Sequence, residues 1–579
     1  MLMNLVLVLD TLSLPLDLPH LAAGLTVTCG GLAALAARGR SDASADKPVP
    51  PHLISWSESP WLLLPVGFGL TAIAIRAVGE PLSGLDTFFR WNFLAREMWR
   101  TGTLHFYPAV SAGDFLHYGW CDGIPPLIST LYLWAYCSLG DLATPASAPI
   151  VVAQAAVLFW LVGQLAAGQR DSFTGLAAMA LLATNAWALW AVAIGQETGF
   201  TALSLLGMFY FFERTHSEPR AHWPVWAGIA AGTGALAREY GLAFILLGFL
   251  TMAWQRMPRR AWVGFAIAAG VIALPWYLRN GLKTGNPLWS QSMGGLFPTN
   301  PVSADYFRVV GEINSVLAHP FIFGIAANLI ATATFPVALG VAGAIFCRRE
   351  HAPWLFGIVT VIALWLWSVG QTSGGIAYSL RVLAPAFALG AVFAGRWLGR
   401  SLTPVRAPWL AVLFAALAAE AAVRSFFLPF YPSFAWWRQP AGTWNYPAKA
   451  AAESRGSANW QAMADSANGR KILVSDPACH AALVERGAKA VPFFSPEVEF
   501  LFGPELDFFG CVARLRTLGF RFVLMTRHNE VNDRQTLRHA FFRDLADTAP
   551  AATTNSYFVY DLYAATAPAE RGAASPDGR

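Results

Sequence analysis

The stretch from Asp86 to Leu127, DTFFRWNFLAREMWRTGTLHFYPAVSAGDFLHYGWCDGIPPL, carries Asp86, Arg90, Arg96, Glu97, Arg100, His105, Asp114, His117 and Asp122. It lies between two apolar runs long enough to enter a membrane. A loop that only joined two spans would need neither that length nor those charges. The spacing over 86–99 predicts an amphipathic helix, with Phe89, Phe93 and Met98 toward an apolar surface and Arg90, Asn92, Arg96 and Glu97 toward water. Lying flat in the membrane interface, such a helix would hold Asp86 at the mouth of a helical bundle, within reach of lipid headgroups. The loop reads as the floor of an active site.

Later polar breaks carry ionisable side chains that could act at the same outer face. Glu197, in GQET, interrupts two apolar runs. An acid at a membrane boundary is either a functional candidate or part of a water-exposed turn. Arg238, in AREYG, stands where two short apolar helices meet, and a basic residue there can bind an anion in a cavity that the broken helix lines. Arg279, with Asn280 at the outer end of the span closing in PWYLRN, offers a guanidinium fork suited to phosphate. For both arginines the plainer alternative is a side chain snorkelling to the headgroups. Arg381, in QTSGGIAYSLRVLAPA, falls in the first turn of a helix that starts outside, and Gly374 and Gly375 permit close approach to the cavity.

These residues need a scaffold, and the composition names it. A chain of 579 residues that is 55% hydrophobic and 13% charged, with 24 Trp, lies outside the range of soluble proteins and is a polytopic α-helical membrane protein. The bilayer is its partner, and no nucleic acid is expected. Apolar runs recur from 20–37 to 408–426 at the length of roughly 20 residues that a bilayer requires, for about 11 to 13 transmembrane helices. Residues 124–140 are short, begin at Pro125 and Pro126 and end at Gly140, so they are expected to dip into the membrane without crossing. Arg38 and Arg40, Arg214 and Arg220, Arg256, Arg259 and Arg260, Arg348 and Arg349, and Arg396, Arg400 and Arg406 mark cytoplasmic loops. The Asp86 loop and everything after about residue 427 then face the other side. Residues 1–56 hold one apolar run, preceded by residues that Asp10 and Asp17 interrupt, and a polar linker; no chemistry is assigned to them.

From about Trp436 the pattern changes to short strands near 471–475, 490–494, 521–526 and 557–563, alternating with amphipathic helices near 478–487, 507–518 and 533–546. This predicts a small soluble α/β domain. Asp476 and His480 within it are expected to be structural. Cys479 and Cys511 could pair in an oxidising compartment or remain two buried thiols.

The order and spacing of the motifs resemble bacterial GT-C glycosyltransferases of the lipid A aminoarabinose transferase and protein O-mannosyltransferase type. The residues that carry the resemblance are Asp86 in GLDTFFRWNFLAREM, IPPL at Ile124 to Leu127, Glu197 in GQETGF, and AREYG at Arg238 to Gly241. Trp276, Arg279 and Asn280, followed by Gly285 to Pro287, and Arg381 with Pro385 complete the set. Two positions depart from the family pattern: Thr87 stands where a second acid often follows the first, and Ile124 where a basic residue commonly precedes the proline pair.

The resemblance implies a GT-C-like transmembrane domain over 57–430 and a periplasmic α/β domain over 431–579, in the bacterial inner membrane. It implies a sugar donor carried on polyprenyl phosphate and a lipid, glycan or protein acceptor. Asp86 would be the catalytic base that takes the acceptor hydroxyl's proton. Arg238, Arg279 and Arg381 would bind the donor phosphate as it departs, and Asp122, Glu197 and His117 would orient acceptor or donor. No cofactor and no metal ligand are assigned, and the use of a divalent metal is left open. Two other functions remain: a transporter or flippase of a lipid-linked glycan, although no internal repeat is seen, and a surface-glycan polymerase or ligase with a larger donor.

Overall fold

The apolar runs fold as helices, which satisfy their own backbone hydrogen bonds where no water is present. The computed structural model describes residues 1–38, 59–79, 84, 86–142, 147–168, 172–217, 222–289, 291–316, 324, 326–327, 333–347, 351–372, 374–402, 407–425, 460–527, 530–554 and 557–564. They divide into two units, one drawn from 1–104, 124–279 and 319–447 and the other from 105–123, 280–318 and 448–579.

The first unit is a helical bundle. Among the described residues, six helices are long and apolar enough to cross a membrane: Pro60–Gly79, Ala148–Ala167, Arg259–Thr284, Ala352–Gln371, Leu380–Ser401 and Pro408–Ser425. A seventh span results if Ser172–Ala183 and Ala186–Ala193, bent by 76°, are taken together. The bend has a local cause, because Asn185 Oδ1 accepts from the Ala188 N–H at 3.1 Å and so caps a new helix inside the apolar run. The larger number expected from the sequence counted runs that form shorter helices, such as Glu239–Trp254 and Phe335–Cys347. Leu127–Leu139 has 13 residues. Its length of about 20 Å falls short of the hydrocarbon thickness.

Ala384–Ser401 packs against Ser172–Ala183, Glu197–Ser217 and Thr334–Cys347 in the interior of this unit. Small side chains bring the backbones together there, and a Cβ at Gly395 would stand 2.5 Å from that of Ala178.

The first loop differs from the helix expected at the interface. Thr87–Asn92 form a π-helical turn that runs into the α-helix Phe93–Thr101, and Arg90, Asn92 and Glu97 are buried. The helix Leu127–Leu139 packs on it, with Ser129 Oγ donating to the Trp91 carbonyl at 2.8 Å and the Tyr136 hydroxyl donating to Asn92 Oδ1. The amphipathic pattern is real, but its polar side meets other side chains of this unit: Asn92 the Tyr136 hydroxyl, Arg90 the Asp86 carboxylate and Glu97 the Arg100 guanidinium. The N-terminal helix Leu2–Thr11 also joins this unit. Asp10 accepts from Thr103 Oγ1 at 2.8 Å, the Leu104 N–H at 2.6 Å and Arg279 Nη2 at 3.3 Å.

The second unit is built on a five-stranded sheet of β1 (Lys471–Val474), β2 (Lys489–Pro492), β3 (Phe520–Thr526), β4 (Ala552–Thr553) and β5 (Tyr557–Asp561), in the order β2-β1-β3-β5-β4. β1 pairs in parallel with β2 and β3, through the crossover helices Pro477–Val484 and Phe508–Thr517, while β5 is antiparallel to β3 and β4. Two distant segments complete its core. Trp120 meets Tyr306 and Phe494 edge to face, with ring centroids 5.6 and 5.1 Å away, and His480 Nε2 donates to the Phe115 carbonyl at 2.9 Å. Burial pushes the His480 imidazole down to about 4. Cys479 and Cys511 are free, buried thiols.

Candidate functional site

Four of the residues singled out in the sequence meet inside the helical unit, each placed by a break in regular structure. Asp86 immediately precedes the π-helical turn. Glu197 is the first residue of Glu197–Ser217, after a reversal at Gly195, whose φ of 66° lies in the left-handed region. The Tyr132 hydroxyl fixes that reversal by donating to the Gly195 carbonyl at 2.5 Å. Arg238 is extended between Trp223–Ala237 and the turn Glu239–Gly241. Gly241 is needed there, since a Cβ would sit 2.1 Å from the Gly234 carbonyl oxygen. Arg381 lies in the 3-10 turn Leu380–Leu383 that opens the next long helix.

Their side chains form one ionic cluster. Arg381 Nη2 is 2.5 Å from Asp86 Oδ2 and 3.8 Å from Glu197 Oε1, so one guanidinium links both acids. Arg238 Nη1 approaches the same Glu197 oxygen at 3.6 Å, while its Nε faces Glu239 Oε2 at 3.2 Å. Arg90 Nη1 lies 3.5 Å from Asp86 Oδ2. Burial resists a charge on Asp86, but the guanidiniums of Arg90 and Arg381 outweigh it and hold the carboxyl below the usual carboxylate range. Asp86 is therefore ionised at neutral pH.

A neutral network orients the charges. Arg381 Nε donates to Gln196 Oε1 at 2.9 Å, and Gln196 Nε2 donates to the Tyr378 hydroxyl at 2.7 Å and to Thr87 Oγ1 at 3.0 Å. The Arg381 guanidinium also stands 4.2 Å from the Tyr378 ring centroid. Gly84 lets Gln196 come this close: its Cβ would fall 2.4 Å from Gln196 Nε2. Arg90, Gln196 and Tyr378 were not singled out as site residues in the sequence. The signals that could have found them are the four-residue spacing from Asp86 to Arg90 on one helix face, the adjacency of Gln196 to Glu197, and a tyrosine one turn before Arg381.

Satisfaction of the cluster is incomplete. Among the described residues, Glu197 Oε2 and Arg238 Nη1 are buried without a hydrogen bond, and Oδ1 of Asp86 makes none. Buried polar atoms in that state are open to the groups of a ligand or to water. A divalent cation fits poorly: no three His, Cys, Asp or Glu side chains among the described residues are grouped to hold one, and guanidiniums already face both acids.

The other candidates are placed differently. Arg279 Nη2 donates to Asp10 Oδ2 at 3.3 Å and to the Leu104 carbonyl at 2.9 Å, with its guanidinium 5.5 Å from the Trp276 ring centroid. Asp122 and His117 belong to the second unit. Asp122 Oδ1 accepts from the hydroxyls of Tyr107 at 2.9 Å and Tyr118 at 3.3 Å, and the His117 ring lies 5.4 Å from that of Phe106.

The sequence profile of Glycosyltransferase family 87 matches residues 125–369, a segment that contains Glu197 and Arg238. The fold is similar to that of ArnT from Cupriavidus metallidurans, solved bound to undecaprenyl phosphate, at 14% identity and a TM-score of 0.52, over 88% of this chain and 99% of that one. The oligosaccharyltransferase of Archaeoglobus fulgidus in the apo form matches at 13% identity and a TM-score of 0.47, over 82% of this chain and 70% of that one. No curated protein matches the sequence.

Proposed function

We propose that this chain is a membrane glycosyltransferase of GT-C architecture, which transfers a sugar from a polyprenyl-phosphate-linked donor to an acceptor hydroxyl on a lipid, a glycan or a protein. The reaction takes place at the periplasmic face of the bacterial inner membrane, the side to which the arginine-rich loops assign the Asp86 segment. The observation that carries this reading is the cluster in which the buried Arg381 joins Asp86 and the buried Glu197 while Arg238 and Glu197 keep unsatisfied atoms. A phosphodiester supplies the acceptors that Arg238 lacks, and an acceptor hydroxyl supplies the donor that Asp86 Oδ1 lacks.

In the proposed step Asp86 takes the proton of the acceptor hydroxyl as its oxygen bonds to the anomeric carbon. The bond from that carbon to the phosphate oxygen breaks with inversion, and polyprenyl phosphate leaves with the electron pair. Arg238 and Arg381 face the negative charge that the leaving phosphate gains, and Glu197 keeps the two guanidiniums turned toward it. Arg279, with Asp10 and a carbonyl already on its guanidinium, is given the task of holding the helix end. Asp122, with two tyrosine hydroxyls on one oxygen, is read as shaping the loop.

The test is transfer of labelled sugar from a polyprenyl-phosphate donor in membranes that contain Asp86→Asn at wild-type protein level. Loss of a base of this kind lowers turnover by about 10²-fold or more. Undiminished transfer by Asp86→Asn would refute the reading.

A further inference from the structure

We propose that the tip of the loop over 291–298 inserts into the outer leaflet of the bilayer and anchors the second unit to the lipid surface. The helix Arg259–Thr284 exposes Val263, Ile267, Val271, Leu274, Leu278 and Leu282, a stripe at steps of three and four residues. From 263 to 282 this stripe rises roughly 28 Å at about 1.5 Å per residue, the thickness of a hydrocarbon core. Leu282, 80% exposed, closes the stripe.

Directly after Leu282 the chain turns back on itself. Asn286 Nδ2 donates to the carbonyls of Gln291 and Pro298, both at 3.0 Å, and Pro298 Cγ lies 3.3 Å from where a Cβ of Gly285 would be. The tip is ordered by its own bonds, since the N–H groups of Gly295 and Phe297 donate to the Ser292 carbonyl at 3.0 and 3.1 Å. Gly294 and Gly295, at φ of 72° and 90°, make the reversal that turns Met293 and Leu296 outward. Leu296 is 78% exposed and Met293 is exposed beside it.

Charge separates this patch from other exposed apolar side chains of the same unit. Between Lys283 and Asp305 the sequence contains no Asp, Glu, Lys or Arg. Tyr563, by contrast, has the guanidiniums of Arg470 and Arg516 near its ring, and Leu537 is flanked by Arg538. An uncharged, preorganised apolar tip at the end of a lipid-facing stripe is suited to a bilayer, where charge is costly and a large apolar side chain contributes about 2 kcal/mol on burial.

The experiment uses the full chain in nanodiscs with Cys29→Ser, which removes the exposed cysteine and leaves the buried thiols in place. A polarity-sensitive dye on Leu296→Cys is compared with the same dye on Glu505→Cys, an exposed position of the second unit. Quenching by nitroxide-labelled lipids at least twofold stronger at 296 than at 505, with protection from aqueous iodide, is the expected result. Iodide quenching equal at the two positions places the tip in water and overturns the proposal. Protection from both quenchers means that protein covers the tip, a second copy included, and overturns it as well. Met293→Cys replaces Leu296→Cys if the latter does not fold.

Discussion

At the scale of the residue, the cluster is governed by the competition between burial and charge. Asp86 loses water but gains two guanidiniums, and the net result is a carboxylate that holds its charge below the usual pH range. Such a group contributes stability that is present above its unfolded pKa and is lost as pH falls through the folded one. The same sign applies to the rate: if Asp86 is the base, the acid limb of kcat/KM lies below the ordinary carboxylate value of about 3.9. Replacing Arg381 by Gln removes the nearer countercharge and should move that limb upward by about one pH unit or more. A pH profile of the membrane-bound variant checks this, and an unmoved limb would mean that another group titrates. Arg90→Gln should act in the same direction and less strongly, because its guanidinium lies 3.5 Å away compared with 2.5 Å for Arg381.

At the scale of the element, the site is assembled from interruptions: a π-helical turn, a left-handed glycine, an extended residue between two helices and a 3-10 turn. Gly241→Ala tests whether the break at Arg238 matters. Its new methyl would overlap the Gly234 carbonyl, at a cost of about 1–3 kcal/mol, and would displace Arg238. Activity should fall more than membrane insertion or protein level. Gly270→Ala, with nothing within 4 Å of its Cβ, should leave both unchanged. These interruptions were partly legible in the sequence, because Gly, Pro and charged residues in apolar runs announce them. The strands were legible for a similar reason: the alternating patterns near 471, 490, 521 and 557 fall on β1, β2, β3 and β5. The burial of Arg90 and Glu97 was not. An amphipathic pattern says which side is polar but not whether water or the rest of the chain meets it, and here Arg90 meets Asp86 and Glu97 meets Arg100. Nor did anything in the run before Asp17 show that Asp10 would bind Arg279, a pairing between residues 269 positions apart.

At the scale of the whole molecule, the sheet unit recruits the segments 105–123 and 280–318 from far along the chain, so its stability is tied to side chains outside the C-terminal region. His480 is the clearest case. It is buried, it donates to the Phe115 carbonyl, and its folded pKa of about 4 lies below the unfolded value of about 6.5. Because the unfolded chain binds the proton more readily, the stability contributed by His480 is complete above about pH 6.5 and declines as pH falls toward 4. Hydrogen exchange of β1 and β3 in the intact protein should show protection decreasing over that interval. His480→Gln should flatten the decrease while lowering protection at pH 7. An equal slope in the variant would assign the titration to another group.

The bond between Asp10 and Arg279 also constrains how the protein is made. The first helix leaves the ribosome long before the helix that carries its partner, so the segment at Thr103 and Leu104 meets Asp10 early while the guanidinium arrives only after several intervening helices have entered the translocon. Until then the carboxylate of Asp10 has no countercharge from Arg279. The last strut of this corner can therefore close only once the chain has been made past residue 279.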